Sequence, residues 1–569
     1  MKKFIIGLSA IAMLGFQSCS DVLDIDPSRS YSESTVYSSV KNLDLYVKDF
    51  YGIFYSNADI LVGSNLLMDD GCTDLVKYSW YNIAEGTVNK FFYGDVKITV
   101  DNNFRSNWDG MYTFIRKFNE YLVDVNNGYG KNISSEELAV RTAEVRFMRA
   151  FAYQELVLRH GGVILRIDEN RVEDQNDRAK ARSSEAECWD FILNEYKKAA
   201  ADLPYVWEDN SIETNVGRLT KGAAYGMMAR AALYAKRWQD ALDACEEVKK
   251  LEKDGYYQLL PGTTYAEYNK IFTNYNNKEL ILSVNFEKRG KQHLFNQYFC
   301  PPSDYVNSQL GKGSVGAAAT PTDEYASSFD INVGGQWQAF SWDNVASYPE
   351  GPWKGRDPRF YASILYNEAP WNGRQLEIYD GGNDGFMEFS TSASQDMVRK
   401  STTGYLFRKF VKEDKTIDFA HVQSDQYWIE MRLAEIYLIS SEAYARLDKF
   451  KEAYIDLNVI RNRVGMPMLS QKNTWDAYLD DLSKERICEL GMEGHRYFDL
   501  VRWDKAYEVL NNKRLHGVKA TKGLDKFTYE RIECDVKTRY FSKKYCVFPI
   551  PSFEIRTNLL CEQLSLIHI

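Results

Sequence analysis

The chain has 569 residues, 44% of them hydrophobic, enough to bury one large core or two fused ones. Its 70 basic and 80 acidic residues leave a formal charge of -10, and basic pairs such as Lys249-Lys250 and Lys543-Lys544 are short and scattered. That excludes a phosphate-binding surface, which needs clustered Lys and Arg, so no nucleic acid is expected as partner. Nine cysteines without a CxxC or any zinc-ligand spacing exclude a structural zinc site and give a chain of this size no disulfide framework.

Lys2 and Lys3 precede an apolar run from Phe4 to Phe16 that is too short to span a bilayer but suits a secretory signal. The run ends in Gln17-Ser18-Cys19, a small residue directly before a cysteine. This resembles a bacterial lipoprotein signal, with residues 1–18 removed and Cys19 lipidated, although Phe16 stands where leucine is usual. Residues 19–40 then form a tether. Its acidic start, Ser20-Asp21-Val22-Leu23-Asp24-Ile25-Asp26-Pro27, is similar to the surface-export signal of Bacteroidetes-type lipoproteins. One acyl chain holds a protein only marginally, at about 0.8 kcal/mol per buried methylene, whereas the two or three of a lipoprotein hold firmly.

Residues 41–285 read as helices. Ser135 to His160 is the clearest, with Ser135 as cap, acids in the first turn, Val140, Ala143, Phe147, Ala150 and Val157 at helical spacing, and Gly161-Gly162 as stop. Glu185 to Leu203 is a second, ended by Pro204. Cys188 and Cys245 fall within helical patterns and are expected as buried, inert thiols. Two segments have the small-residue and aromatic spacing of tetratricopeptide repeats. One is Met228-Ala229-x-x-Ala232 leading to Trp238-x-x-Ala241; the other is Ser441-x-x-Tyr444 leading to Phe450-x-x-Ala453. They lie far apart, which predicts repeats interrupted by insertions.

Between 286 and 425 the periodicity collapses, while Trp337, Trp342, Trp353 and Trp371 appear in quick succession. Long irregular stretches in compact domains are functional or disordered, and four tryptophans argue against disorder. Helical patterning returns over 426–563.

Chemical motifs are sparse. The six histidines form no HExxH, and no GxSxG or Walker sequence occurs. Gly311 to Gly316 spells GxGxxG, but no hydrophobic strand leads into it, so it reads as a loop and no cofactor or metal is expected. Asp69-Asp70 has the chemistry for half of a glycosidase pair, against the plainer reading of a solvated turn.

The C-terminal third carries the most specific pattern. Met431-Arg432-Leu433-Ala434-Glu435-Ile436-Tyr437-Leu438 runs into Ser441-Glu442-Ala443-Tyr444-Ala445 and Leu457-Asn458-x-x-Arg461-Asn462-Arg463. Lys484-Glu485-Arg486-x-x-Glu489-Leu490, Glu493-Gly494-His495-Arg496-Tyr497-Phe498-Asp499-Leu500, Arg502-Trp503 and Phe548-Pro549-Ile550-Pro551 complete the series. Upstream matches include Trp108-x-x-Met111-Tyr112, Arg146-Phe147-x-Arg149-Ala150, Gly217-Arg218-x-Thr220 and Asp357-Pro358-Arg359-Phe360. In this order the segments resemble the SusD/RagB family of surface glycan-binding lipoproteins. One departure is the ending: Leu-Ser-Leu-Ile-His-Ile follows Gln563 where the family usually has an Asn-Pro-Gly-Tyr-like tail, so residues 564–569 read as foreign.

The resemblance implies a mainly α SusD-like fold, with tetratricopeptide-type helix pairs as scaffold and the 286–425 insertion, with few short strands, on the ligand face. It implies an oligosaccharide or polysaccharide ligand, a SusC-like TonB-dependent transporter as partner, and a lipid-anchored place on the outer membrane. It implies no catalysis. The competing readings are a glycoside hydrolase with a carboxylate pair and a structural transporter lid that binds peptide or another nutrient.

A sugar offers an apolar face and a hydroxyl rim, so its site needs flat aromatic rings edged by polar groups. Two regions supply both. One holds Asp69, Tyr78, Trp80, Tyr81 and Asn82; the other holds Tyr305, Trp337, Trp342, Trp353 and Trp371. The helix-borne charges Arg432, Glu435, Glu442, Arg461, Glu485, Arg486, Glu489, Glu493 and Arg496 are expected instead to form an internal ion-pair network.

Overall fold

The computed structural model describes residues 33–58, 68–79, 87–167, 179–207, 216–286, 291–305, 316–391, 400–416 and 422–563. Cys19, Trp80, Tyr81, Asn82 and the tail 564–569 lie outside the described residues. The scaffold is helical: α1 (Val40–Phe50), α2 (Trp108–Asn126), α3 (Ser135–His160), α4 (Glu185–Asp202), α5 (Lys221–Tyr234), α6 (Trp238–Lys253), α7 (Leu433–Arg446), α8 (Phe450–Arg463) and α9 (Trp475–Leu490). The strands that position the site are β1 (Val76–Tyr78), β2 (Leu280–Val284), β3 (Ala319–Pro321), β4 (Ile331–Val333), β5 (Gln336–Gln338), β6 (Pro370–Trp371), β7 (Arg374–Gln375), β8 (Trp428–Arg432), β9 (His516–Lys522) and β10 (Phe527–Glu533).

Local chemistry sets the helix ends. α3 is capped by Ser134, whose hydroxyl accepts from the Glu137 N–H; Ser135, expected as the cap, already has helical geometry. Gly161 ends the helix at a φ of +65°, which a side chain would resist. Ser184 and Glu187 form a reciprocal capping box at the start of α4.

The two repeat-like segments are both helix pairs, α5–α6 and α7–α8. Each pair turns through one residue in the left-handed region, Lys236 (φ 59°) and Asp448 (φ 58°), two positions before the aromatic that opens the next helix, Trp238 or Phe450. Small buried residues on α5 (Ala223, Ala224, Gly226, Ala229, Ala232) let its neighbours approach closely. Although 179 residues separate α6 from α7 in sequence, the two helices pack together. Lys249 Nζ bridges Ser440 at 3.0 Å and Asp456 at 2.8 Å, and the Cys245 thiol donates to Ile436 O. The insertion is therefore looped out of a continuous helical stack.

β2 and β8 pair antiparallel, Trp428 opposite Val284 and Arg432 opposite Leu280, which brings the two ends of the intervening segment together. Beneath this ribbon lies the expected charge network. Arg432 reaches Glu489 at 2.6 Å, Glu493 at 2.8 Å and Glu279 at 2.9 Å; Arg359 binds Asp357, Glu485 and Glu489; Arg461 binds Glu485 at 2.9 Å. Burial alone would raise the Glu489 carboxyl, but Arg463, Arg432 and Arg359 outweigh it and hold the group far below the usual carboxylate range. Glu435 pairs with Arg230, Glu442 with Arg502, Arg486 with Asp499 and Arg496 with Asp74. Each of the nine charges named from sequence is buried and paired. They tie the C-terminal helices to one another and to the segments packed against them. Cys188 and Cys245 are buried, and burial pushes the Cys188 thiol up to about 11.

Candidate functional site

Strand β1 carries the chain toward residue 80 and pairs antiparallel with β3, Val76 opposite Pro321 and Tyr78 opposite Ala319. Past the strand, the Ser79 N–H donates to Ala318 O at 2.9 Å; its hydroxyl donates to Ala317 O at 2.7 Å and lies 3.5 Å from Lys400 O. Residues on three distant segments thus meet at one place. Tyr78 itself is 2% exposed, with its ring against Gly71, where an added Cβ would come within 2.5 Å of it.

Beside this junction a polar floor is built on the β6–β7 hairpin. Its two-residue turn is Asn372-Gly373, both with positive φ (49° and 79°), the conformation that an Asn-Gly turn favours. The turn presents Arg374, whose guanidinium is held from both sides. It donates to Asp304 Oδ1 at 2.7 Å and to Asp384 at 2.7 and 3.0 Å. Asp384 is buried and also accepts the Glu377 N–H at 2.8 Å. Asp304 accepts the Trp371 indole N–H at 2.7 Å and, at 3.5 Å, the Asn372 amide. Burial opposes the charge on Arg374, but its bonds to Asp384 and Asp304 keep it firmly a cation. The Arg374 side chain keeps 33% exposure, so a rigid ionic group bearing both donors and acceptors reaches solvent. Such a group suits the hydroxyl rim of a neutral polyol.

The aromatic residues named from sequence divide sharply. Trp337, on the outer strand of the β4–β5 hairpin, is half-buried. Trp342 is half-buried too, with its indole N–H fixed on Asp323 Oδ1 at 2.9 Å. Buried Asp323 also takes the Tyr405 hydroxyl at 2.9 Å and Arg531 at 2.7 Å, so the ring of Trp342 hangs from a rigid hub. Trp353, 7% exposed, stacks on Tyr366 at 5.0 Å and meets Trp342 edge-on at 6.0 Å. Trp371 is 1% exposed. The last two present no open ring face to a ligand, because large apolar rings gain most by joining the core. Trp371 acts instead through Asp304. Tyr305 closes the short turn Pro302–Tyr305 next to Asp304.

The acid pair is not a solvated turn. Asp69 is ion-paired with Arg105 at 2.5 Å and Arg159 at 3.3 Å. Asp70 is fully buried, accepts the Gly494 N–H at 2.9 Å, and is pushed up to about 7 by that burial although the Gly494 bond opposes it. A nearby cavity lined by Asn57, Asp69, Glu155, Arg230, Glu430 and His495 has a volume of about 50 Å³, room for a few waters at about 10–15 Å³ each. No group of His, Cys, Asp and Glu among the described residues could hold a metal ion.

Sequence reasoning did not single out Asp304, Arg374 or Asp384. Asn372-Gly373 between two short runs was the available signal, since that dipeptide marks a tight hairpin whose flanking side chains are rigidly placed.

Known proteins match this fold over almost the whole chain. The SusD family model matches residues 278–565, and a second, described as starch-binding and associating with the outer membrane, matches residues 28–233. The chain belongs to the SusD/RagB family. A SusD-like protein of Bacteroides ovatus is 24% identical over 535 residues, covering 90% of this chain and 85% of the relative. The SusD-like protein P25 of Formosa agariphila is 23% identical over 519 residues, covering 87% and 89%. Among solved structures, a SusD-like protein from Bacteroides fragilis superposes with a TM-score of 0.76 at 27% identity, covering 94% of this chain and 98% of its own. A SusD-like carbohydrate-binding protein from the same species gives 0.74 at 23%, with 92% and 99% covered. A laminarin-binding SusD-like protein gives 0.62 at 19%, with 93% and 99% covered. The mainly α SusD fold expected from sequence is the fold of this chain. Among the described residues no helix is long and apolar enough to cross a membrane.

Proposed function

We propose that the protein binds an oligosaccharide or polysaccharide at the cell surface and delivers it to a SusC-like TonB-dependent transporter, without catalysis. The observation that carries this reading is Arg374, clamped between Asp304 and Asp384 and still one-third exposed, on the same insertion as the half-buried Trp337 and Trp342. A rigid hydrogen-bonding group suits the hydroxyl rim of a sugar, and a flat ring suits its apolar face. Relatives described as carbohydrate-binding and laminarin-binding support the ligand class. The family's association with the outer membrane supports the location, and Cys19 with its acidic tether supplies the anchor. The pairing of Asp69 with Arg105 and Arg159 and the burial of Asp70 speak against either as half of a glycosidase pair.

Affinity for polysaccharide, measured on the lipid-free body 20–563, should fall at least tenfold in Arg374→Ala. Unchanged affinity would remove the floor from the site. In the cell, Cys19→Ala should shift the protein from the outer-membrane fraction to the soluble one and uncouple it from a co-purifying transporter. Retention on the membrane would contradict the anchor.

A further inference from the structure

Residues 426–515 separate the β9–β10 hairpin from the insertion in sequence, yet it is seated directly on it. The Val518 N–H donates to Thr403 O at 2.7 Å, and an added Cβ on Gly404 would meet Val518 O at 1.9 Å, so the two backbones touch. Arg531 of β10 reaches Asp323, the same carboxylate that holds Trp342.

Strand alternation places Phe527 and Tyr529 on one side of β10, opposite Lys522 and Ala520 of β9. Both rings are half-buried against the insertion. Tyr529 meets Trp353 edge-on at 5.2 Å, Phe527 lies 6.4 Å from Tyr529, and Tyr379 lies 5.1 Å from Phe527. Polar groups edge this row. The Tyr529 hydroxyl donates to Glu368 at 2.8 Å and accepts from the Asn367 amide at 3.3 Å, while Lys522 donates to the Tyr379 hydroxyl at 3.3 Å. Tyr379 belongs to the turn that contains Asp384: its carbonyl accepts the Phe386 N–H at 3.2 Å, and Glu377, two residues before it, donates to Asp384. The row therefore begins in the turn whose Asp384 holds Arg374.

We propose that Phe527, Tyr529 and Tyr379 form outer subsites that take further sugar residues of a long glycan chain whose inner residues lie on the Arg374 floor. This inference rests on the glycan reading above. Half-buried rings in a row, edged by hydroxyl, amide and ammonium groups, offer apolar face and polar rim together, as a sugar chain does. A protein partner would be met instead by a contiguous apolar patch.

The test is calorimetric titration of the lipid-free body with soluble starch, laminarin, xylan and galactomannan and with the trisaccharide and hexasaccharide of each. The wild type should bind the hexasaccharide of its preferred glycan at least tenfold more tightly than the trisaccharide. That ratio should fall toward one in Phe527→Ala/Tyr529→Ala and, independently, in Tyr379→Ala on the opposite side of the row, with thermal melts confirming that each variant folds. A wild-type ratio in folded variants would overturn the outer subsites while leaving the Arg374 floor intact. Absence of binding to the whole set by the wild type would overturn the glycan reading, and this inference with it.

Discussion

The indole N–H of Trp371 donates to Oδ2 of Asp304 across 2.7 Å, and the other oxygen of that carboxylate receives Arg374. A tryptophan that offers no surface thus sets the direction of the exposed ionic group. Trp371→Phe keeps most of the buried ring and removes the N–H. A hydrogen bond to a charged acceptor contributes about 1.5–3 kcal/mol, so glycan affinity should fall roughly 10-fold. Calorimetry beside a thermal melt separates this from unfolding: Trp371→Phe should melt well above Trp371→Ala. Unchanged affinity in Trp371→Phe would leave the indole with a packing role only.

Asp70 makes stability depend on pH in an unusual direction. Burial raises its folded pKa to about 7, and Glu430 is raised to about 7 by the same cause. Between the unfolded carboxylate range and pH 7 the folded state holds more protons than the unfolded state, so these groups lower stability as pH rises through that window. Glu489, Glu493 and Asp499, held low by their arginine and lysine partners despite burial, act oppositely and lose their contribution as pH falls below the unfolded range. Stability should peak in mildly acidic solution. Asp70→Asn keeps an acceptor for Gly494 and should be more stable than wild type at pH 8 by roughly 2–4 kcal/mol, at about 1.4 kcal/mol per pKa unit, with the gap closing toward pH 5. Melting curves at the two pH values check it; a constant gap would contradict the raised pKa.

Much of the scaffold was legible because it rests on local rules. Small residues at Ala229 and Ala232, aromatics at Trp238 and Phe450 and the capped start of α3 all act within a few turns of helix. The charge network was legible as well, since arginines and carboxylates on helix faces with apolar neighbours must be buried together or not at all. The candidate ligand face was not. Whether a loop tryptophan is a platform or part of the core depends on tertiary contacts that local spacing does not carry. Trp353 is closed by Tyr366 and Tyr529, and Trp371 points at Asp304. No spacing encodes that Asp304, Arg374 and Asp384 meet, or that Phe527 of the late hairpin reaches Tyr379.

Arg496 tests the separation between scaffold and site. It binds Asp74 through two bonds, at 2.9 and 3.0 Å, and Ser483 at 3.0 Å, all well away from Arg374 in the hydrogen-bonding pattern. Arg496→Ala leaves Asp74 without its cation. Both side chains keep slight exposure, so the loss should be about 2–3 kcal/mol, below the 3–5 kcal/mol of a fully buried pair. Denaturant unfolding should show that loss while the folded fraction binds glycan as wild type does. Selective loss of binding in a stable Arg496→Ala protein would place Arg496 at the ligand.

The most direct measurement is titration of the lipid-free body, residues 20–563, against a polysaccharide panel, with reducing sugar assayed in the same samples after prolonged incubation. Saturable binding to a glycan without release of sugar is the predicted result, and it would name the substrate class. Release of reducing sugar that tracks the purified protein would contradict the account and turn attention to the carboxylates as an active site.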